Sequence, residues 1–255
     1  MNHVRQQRIL DLLQERGSIS SKHLADLLGV TAMTVWRDLR ELAEMGLIQR
    51  IRGGVQSRQA AVRGIAAAPV SDAESERIKQ TIARRAVEEF VRPGDMLAIG
   101  GGTTVAALVP WLPEEKVSVL TNSIFLASMI RGQRPGVSVL LPGGWLSPLS
   151  GDLCGPETVR RLAREESRVC FISAWAYDAE RGPLDQNPLE IETKRALVRG
   201  ARRVVLLLES AKFYREAACI TLHPRHLHAV VTEAEPPADV ASHFEKLGIR
   251  LIVAH

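Results

Sequence analysis

The 255-residue sequence predicts an α/β chain in two parts: a small helical segment, then a larger domain with a mainly parallel sheet. Three observations predict it. Short apolar runs alternate with helical patterns from about residue 96 onward, the signature of strand–helix repeats. The first 58 residues read instead as three closely spaced helices and a hairpin. Charge divides the same way: residues 1–58 hold nine Lys or Arg and six Asp or Glu, a net of +3, while residues 59–255 hold 24 and 23, a net of +1.

Composition narrows the class. At 45% hydrophobic and 24% charged residues, the chain is expected to pack rather than stay disordered. No apolar run reaches the roughly 18 residues of a membrane span, and the start, Met1 to Arg5, lacks the layout of a secretory signal. Cys154, Cys170 and Cys219 are odd in number and widely spaced, which argues against a disulfide framework or a zinc site. The expectation is a cytoplasmic protein with no metal, no cofactor and no membrane partner. A net charge of +4 permits a nucleic-acid partner without demanding one.

Within residues 1–58, the first helix carries Val4, Ile9, Leu12 and Leu13 on one face and ends at Gly17. Ser20 can cap a second helix, with Leu24, Leu27 and Leu28 buried and Gly29 as its stop. Thr31 can cap a third, running to Gly46. So short a connection forces the steep crossing of a helix-turn-helix. Leu47 to Arg52 then alternates and Gly53-Gly54 turns, giving a two-stranded wing. On the third helix Val35, Leu39 and Leu42 cluster within about 60° as the buried stripe. Met33, Thr34, Arg37, Arg40 and Glu44 point away from it.

Such a helix suits the DNA major groove. Arg37 and Arg40 can reach guanine edges or phosphates, and Arg50 and Arg52 phosphates or the minor groove. Lys22, Thr31, Met33, Thr34 and Gly53 complete the expected contacts. The alternative for any single arginine is an ordinary solvated charge. Gln59 to Val70, rich in Ala with Gly64 and Pro69, reads as a linker, taken as residues 59–72.

The stretch Val30-Thr31-Ala32-Met33-Thr34-Val35-Trp36-Arg37-Asp38-Leu39, with Leu42, Gly46-Leu47-Ile48 and Arg52-Gly53-Gly54, resembles the winged helix of the DeoR family of bacterial transcription regulators. The family usually has two consecutive arginines before the Asp, and Trp36 stands in place of the first. By its position at the edge of the buried stripe, Trp36 reads as a packing residue that touches a phosphate or sugar rather than a base.

The larger domain, residues 73–255, opens on a capping box, Ser71 with Glu74. Ile78, Ile82, Ala86 and Phe90 form the core face of its first helix. The expected strands are Met96–Ile99, Val117–Leu120, Val137–Leu141, Val169–Ile172, Val204–Leu208, Ala229–Val231 and Arg250–Val253. Parallel sheets bind ligands beyond the carboxyl ends of their strands. There the sequence places Gly100 to Thr104, Thr121-Asn122-Ser123, Gly143-Gly144, Ser173 to Asp178, and Glu209 to Lys212. Glycine N–H groups, the Thr103 and Thr104 hydroxyls and the Lys212 charge suit a phosphate. Glycines in such turns also serve geometry alone.

This region resembles the DeoR effector domain, itself similar in fold to ribose-5-phosphate isomerase. The matching residues are Gly102-Thr103-Thr104, Thr121-Asn122-Ser123, Gly143-Gly144, Ser150-Gly151-Asp152, Gly155, Glu190 with Lys194, and Ser210 to Phe213. The resemblance implies that a phosphorylated sugar or polyol binds here and releases a repressor from double-stranded DNA. It assigns that ligand Gly101, Gly102, Thr103, Thr104, Thr121, Asn122, Gly143, Gly144, Asp152, Glu190 and Lys212. It also implies an oligomerising domain, in a homodimer or homotetramer that reads paired half-sites.

Three positions depart from the family pattern: Gly100 and Glu209 each stand in place of an Asp, and Trp175 lies in a normally glycine-rich stretch. Trp175 reads as a core aromatic before a pocket residue. Asp152 either accepts sugar hydroxyls or caps the helix at Gly155-Pro156, and Glu190 with Lys194 reads equally as an i,i+4 pair on a solvated face. His223, His226 and His228 read as loop residues. The main functional reading is a repressor of a carbohydrate or polyol operon, not an enzyme. The alternative is a sugar-phosphate isomerase fused to a DNA-binding domain, using Asp152, Glu190 or Glu209 as base.

Overall fold

The computed structural model describes residues 5, 6, 8–10, 12, 13, 18–44, 48–51, 54–57, 73–114, 116–147 and 150–255. The chain divides into two compact units, Met1–Ser71 and Asp72–His255.

In the first unit, residues 5, 6, 8–10, 12 and 13 are helical. Strand β1 (Ser18–Ser20), helix α1 (Ser21–Leu28), helix α2 (Ala32–Glu44) and strands β2 (Ile48–Ile51) and β3 (Gly54–Ser57) follow. Ser20 caps α1, its hydroxyl accepting from the His23 N–H at 3.1 Å. Gly29 closes α1 in the left-handed conformation at φ 63°. The Thr34 N–H donates to Thr31 Oγ1 at 3.3 Å, capping α2. Ile9, Leu13, Leu24, Val35, Leu39 and Leu42 form the buried centre.

Two expectations are corrected. The wing has three strands, because Ser18–Ser20 pairs antiparallel with β3 and brings Ile19 opposite Val55, both buried. Leu27 is 45% exposed, since the buried arc of α1 runs through Leu24, Ala25 and, partly, Leu28. Asp38, fully buried, accepts from Arg5 Nε at 2.5 Å and Nη2 at 2.9 Å, which ties the N-terminal helical stretch to α2. The Ser71 cap, the 59–72 linker, Arg52 and Gly53 lie outside the described residues.

The second unit begins with α3 (Ala73–Phe90). Its sheet is seven-stranded and wholly parallel, in the order β15-β14-β12-β9-β4-β5-β6. These strands are β4 (Met96–Ile99), β5 (Ser118–Leu120), β6 (Ser138–Leu140), β9 (Val169–Ser173), β12 (Val204–Leu207), β14 (Ala229–Thr232) and β15 (Arg250–Val253). They are the seven expected runs.

Side chains alternate across the pleat. Leu97, Ile99, Val169, Phe171, Val205, Leu207 and Val231 pack on one face, with α3, α4 (Thr103–Ala106) and α5 (Ile124–Gln133). Ala98, Cys170, Ile172, Val204, Leu206 and Val230 face the opposite core, with α6 (Pro156–Leu162), α7 (Pro188–Arg199) and α8 (Ala238–Leu247).

Two small sheets were not expected. Strands β7 (Trp145–Leu146) and β8 (Leu153–Cys154) form a ribbon, and β10 (Ala176–Asp178), β11 (Gly182–Asp185) and β13 (Cys219–Ile220) an antiparallel sheet. Segments of two to four residues carry no readable period, and Gly182-Pro183 mimics a turn.

At the amino ends of the strands Asp95 is a staple. Its Oδ2 accepts from the Arg92 N–H and from Arg168 Nη2, each at 2.6 Å, while Arg168 also bonds the Phe90 carbonyl. This ties the end of α3 to the start of β4 and β9. Asp95 is 7% exposed and the Arg168 side chain 33%, so removing the carboxylate strands a partly shielded charge. Asp95→Ala is expected to cost about 2–4 kcal/mol of the second unit's stability, read as a lower urea midpoint.

Candidate functional site

Strand β4 pairs with β5 on one side and β9 on the other, so strand order reverses there and a crevice opens beyond their carboxyl ends. The turn after β4 enters that crevice with no room for side chains. A Cβ on Gly101 would lie 2.0 Å from Asp152 Oδ2. Gly102, at φ 121°, is in a conformation that favours glycine, and its Cβ would lie 2.7 Å from Ser173 Oγ.

A hollow at this point is lined by Gly101, Asn122, Asp152, Glu190, Thr193 and Lys194. Asn122 donates to the Leu153 carbonyl at 3.1 Å, which joins the turn after β5 to β8. Asp152 is pushed up from the usual 3.8 to about 6, first by burial, against the hydrogen bond from Ser123; Glu190 adds to the rise and Lys194 opposes it.

The Lys194 ammonium is turned inward, onto Asp185 Oδ2 at 2.7 Å and the Ser173 carbonyl at 2.9 Å. Glu190 accepts from Asn187 Nδ2 at 2.9 Å. The expected pair of Glu190 with Lys194 on a solvated helix face is therefore corrected, because Lys194 is 7% exposed and finds its carboxylate on β11. Asp185 was missed in the sequence. It accepts further from Thr221 Oγ1 at 2.8 Å and from the Trp175 N–H at 3.2 Å. Nothing in Leu184-Asp185-Gln186 signals this role.

A second cluster lies at the far end of the same turn. Lys212 Nζ is 3.0 Å from Glu209 Oε1 and 3.2 Å from Thr104 Oγ1. Ser75 Oγ donates to Glu209 Oε2 at 2.9 Å. Burial works against the Glu209 charge, but Lys212, Ser75 and Lys79 outweigh it and hold this carboxyl below its usual range. Lys212 is lowered, first by burial against the pull of Glu209, with Arg215 and Lys79 acting in the same direction. Lys212 and Lys79 thus act on Glu209, and Arg215 acts on Lys212. Lys79, 5% exposed, was missed because it reads as part of the polar face of α3.

The other expected ligand residues do less. Thr121 Oγ1 accepts from the Ser123 N–H at 3.0 Å, a turn contact. The Gly143 carbonyl accepts from Thr158 at 2.7 Å, and a Cβ on Gly144 would lie 2.0 Å from Thr158 Oγ1. Both glycines seat α6 rather than line the hollow. Thr103 is half-buried at the start of α4. Trp175 is not a core aromatic: it is half-buried, with the Arg215 guanidinium 5.4 Å from its ring centroid. The buried aromatic of that stretch is Tyr177, packed against Phe213 and Phe244.

In the first unit Lys22, Thr31, Met33, Trp36, Arg37 and Arg40 are exposed and Thr34 is half-buried. Trp36, expected to pack, is 45% exposed and lies under Arg40. Arg50 lies in β2.

The sequence pattern of the DeoR-like helix-turn-helix domain matches residues 5–61, and that of the DeoR C terminal sensor domain matches residues 74–234. The chain is 28% identical to the HTH-type transcriptional repressor CsqR of Escherichia coli (strain K12), over 98% of this chain and 94% of that one. It is 30% identical to the glycerol-3-phosphate regulon repressor of Haemophilus influenzae, over 84% and 82%. Among solved structures it is similar to the sorbitol operon regulator SorC of Klebsiella pneumoniae, with TM-score 0.43, 14% identity, and 90% and 94% of the two chains covered. A ribose 5-phosphate isomerase from Methanocaldococcus jannaschii gives TM-score 0.40 at 16% identity, covering 54% of each chain.

The displaced acidity of Asp152 has a consequence for stability. Its folded value lies above the unfolded one, so protonation favours the folded state: stability is gained as pH falls from about 6 toward 3.8 and is missing above that window. Asp152→Asn is therefore expected to stabilise the second unit at pH 7.5, by on the order of 1–3 kcal/mol, and to lose that advantage by about pH 4. Thermal melts of both proteins across this range check it; an equal difference at both ends of the range would contradict it.

Proposed function

This chain belongs to the DeoR family of DNA-binding transcriptional regulators, and we propose that it is a repressor released from operator DNA by a phosphorylated sugar or polyol. One observation carries the choice of ligand: the turn Gly101 to Thr104 links two surroundings of opposite character. At one end Asp152, Glu190, Asn122 and Lys194 line a hollow with a surplus of carboxylate. Carboxylates accept hydrogen bonds from hydroxyl groups, so this end suits the polyol. At the other end Lys212 and Lys79 act on Glu209, and Arg215 acts on Lys212. Ammonium and guanidinium groups gathered in a shielded place suit the phosphate. The names of relatives that govern glycerol-3-phosphate genes agree with such a ligand.

In this reading residues 1–58 bind DNA, 59–72 link, and 73–255 bind the effector and oligomerise. The small reader responds through the spacing of paired copies, because two half-sites need a fixed separation. Cytoplasmic location follows from the DNA partner. Asp152, a weaker acid than an ordinary carboxyl, favours one second reading, a proton-transferring isomerase. Aldose–ketose interconversion by the purified chain would establish it; we expect no turnover.

Two outcomes follow. Arg37→Ala is expected to weaken binding to the selected operator by about 1–3 kcal/mol in gel shifts, if Arg37 reads a base edge. Lys212→Ala is expected to abolish the effector's influence while leaving DNA affinity unchanged. Calorimetry with a sugar phosphate and its dephosphorylated parent decides the ligand class: equal affinities would remove the phosphate from the proposal.

A further inference from the structure

The outward face of α2 is more than a basic surface. Met33, Trp36, Arg37 and Arg40 stand at i, i+3, i+4 and i+7, so they share one stripe. Met33 is 68% exposed and Trp36 45%. The opposite face is already filled by Val35, Leu39 and Leu42, each at most 2% exposed. The Met33 and Trp36 side chains therefore present apolar surface on the outward face of the helix, away from that core. The one carboxylate between Arg37 and Arg40, Asp38, is turned away and buried against Arg5. From Ala32 to Arg40 the stripe carries cations and apolar groups alone. The Arg40 guanidinium lies 5.9 Å from the Trp36 ring centroid, within cation–π range.

These groups occupy the first turns of the second helix of a helix-turn-helix, the part that enters the major groove. The basic flank complements a polyanion. Apolar side chains in that groove recognise one feature, the C5 methyl of thymine, which no other base presents. An arginine at position 36 would select guanine through its fork; an indole offers no such fork. We propose that Met33 and Trp36 read thymine methyl groups, and that Trp36 holds Arg40 extended toward a phosphate. The half-site of this chain then carries thymine where an arginine at position 36 would read guanine. This rests on the DNA-binding reading above and deepens it.

The test uses the full chain. A high-affinity duplex is selected from a random-sequence duplex library and resynthesised with uracil in place of every thymine, which removes the methyls and nothing else. The wild-type chain is expected to bind the uracil duplex at least about fourfold more weakly, the worth of one buried methyl. The Met33→Ala/Trp36→Ala double variant is expected to bind both duplexes alike, with its affinity for unselected duplex lowered less than its affinity for the selected one. Trp36→Arg, selected from the same library, is expected to enrich guanine in place of thymine. Equal binding of both duplexes by the wild type, or an equal uracil penalty in wild type and double variant, would overturn the inference while leaving DNA binding intact. If the library yields no preferred duplex, the DNA-binding reading falls as well.

Discussion

All seven strands of the central sheet run in one direction, and a chain can begin the next such strand only by crossing over a face. That constraint places every turn that follows a strand along a single edge. It also forces the order to reverse somewhere, here at β4, whose neighbours are β5 and β9. At the reversal the turns diverge and leave a crevice. The turn after β4 must enter it, and Asp152 and Ser173 stand where its Cβ atoms would be. Gly101 and Gly102 therefore follow from topology before any ligand is considered. The backbone they expose is what a ligand meets first.

The legible part of the fold is the part that this constraint governs. Seven apolar runs became seven strands, because strands buried on both faces are continuous in their hydrophobicity and stand out in a sequence. The helical core faces were legible for the same reason: Ile82, Ala86 and Phe90 recur at steps of four and are all buried. The ribbon β7–β8 and the sheet β10-β11-β13 have strands too short for a period. Ser18–Ser20 was hidden as well, as a three-residue strand before a cap. Of the candidate ligand residues, Gly101, Asn122, Asp152 and Glu190 line the hollow, while Gly143 and Gly144 serve packing. Trp36 and Trp175 were misjudged for a common reason. A helical wheel or a short apolar stretch places a residue near a boundary, and only the neighbours decide which side it takes.

Asp185 and Lys79 show a different limit. Neither sits in a motif, and each matters through a partner far along the chain. Asp185 lies on β11, in the small sheet, yet it holds Lys194 of α7 and receives Thr221 and the Trp175 backbone. One carboxylate thus joins the small antiparallel sheet, the end of β9 and the helix that lines the hollow. Lys194 is fixed by two bonds rather than free to follow its local neighbour Glu190. An ammonium held this way presents its remaining donor from a set position, which favours directional recognition over diffuse attraction.

The electrostatics of the hollow then become intelligible. Asp152 and Glu190 face each other across a hollow in which Lys194 is already neutralised by Asp185. Burial and that second carboxylate oppose charge on Asp152, so the site is held in an unfavourable state near neutral pH. Water relieves this poorly in a shielded place. In the proposed reading a ligand with several hydroxyl groups relieves it well, because each O–H adds a donor to carboxylates that already accept from Ser123 and Asn187. In the proposed reading that repulsion is released on binding, and release on binding is what gives a ligand differential affinity for one state over another. At the other end of the same turn Lys212 and Lys79 act on Glu209 and Arg215 on Lys212, a gathering of cations that in the proposed reading receives the phosphate. A molecule with hydroxyls at one end and an anion at the other suits both ends at once; half of such a molecule suits one. In the proposed reading, discrimination between a metabolite and its unphosphorylated parent rests on the different character of the two ends of a single glycine turn.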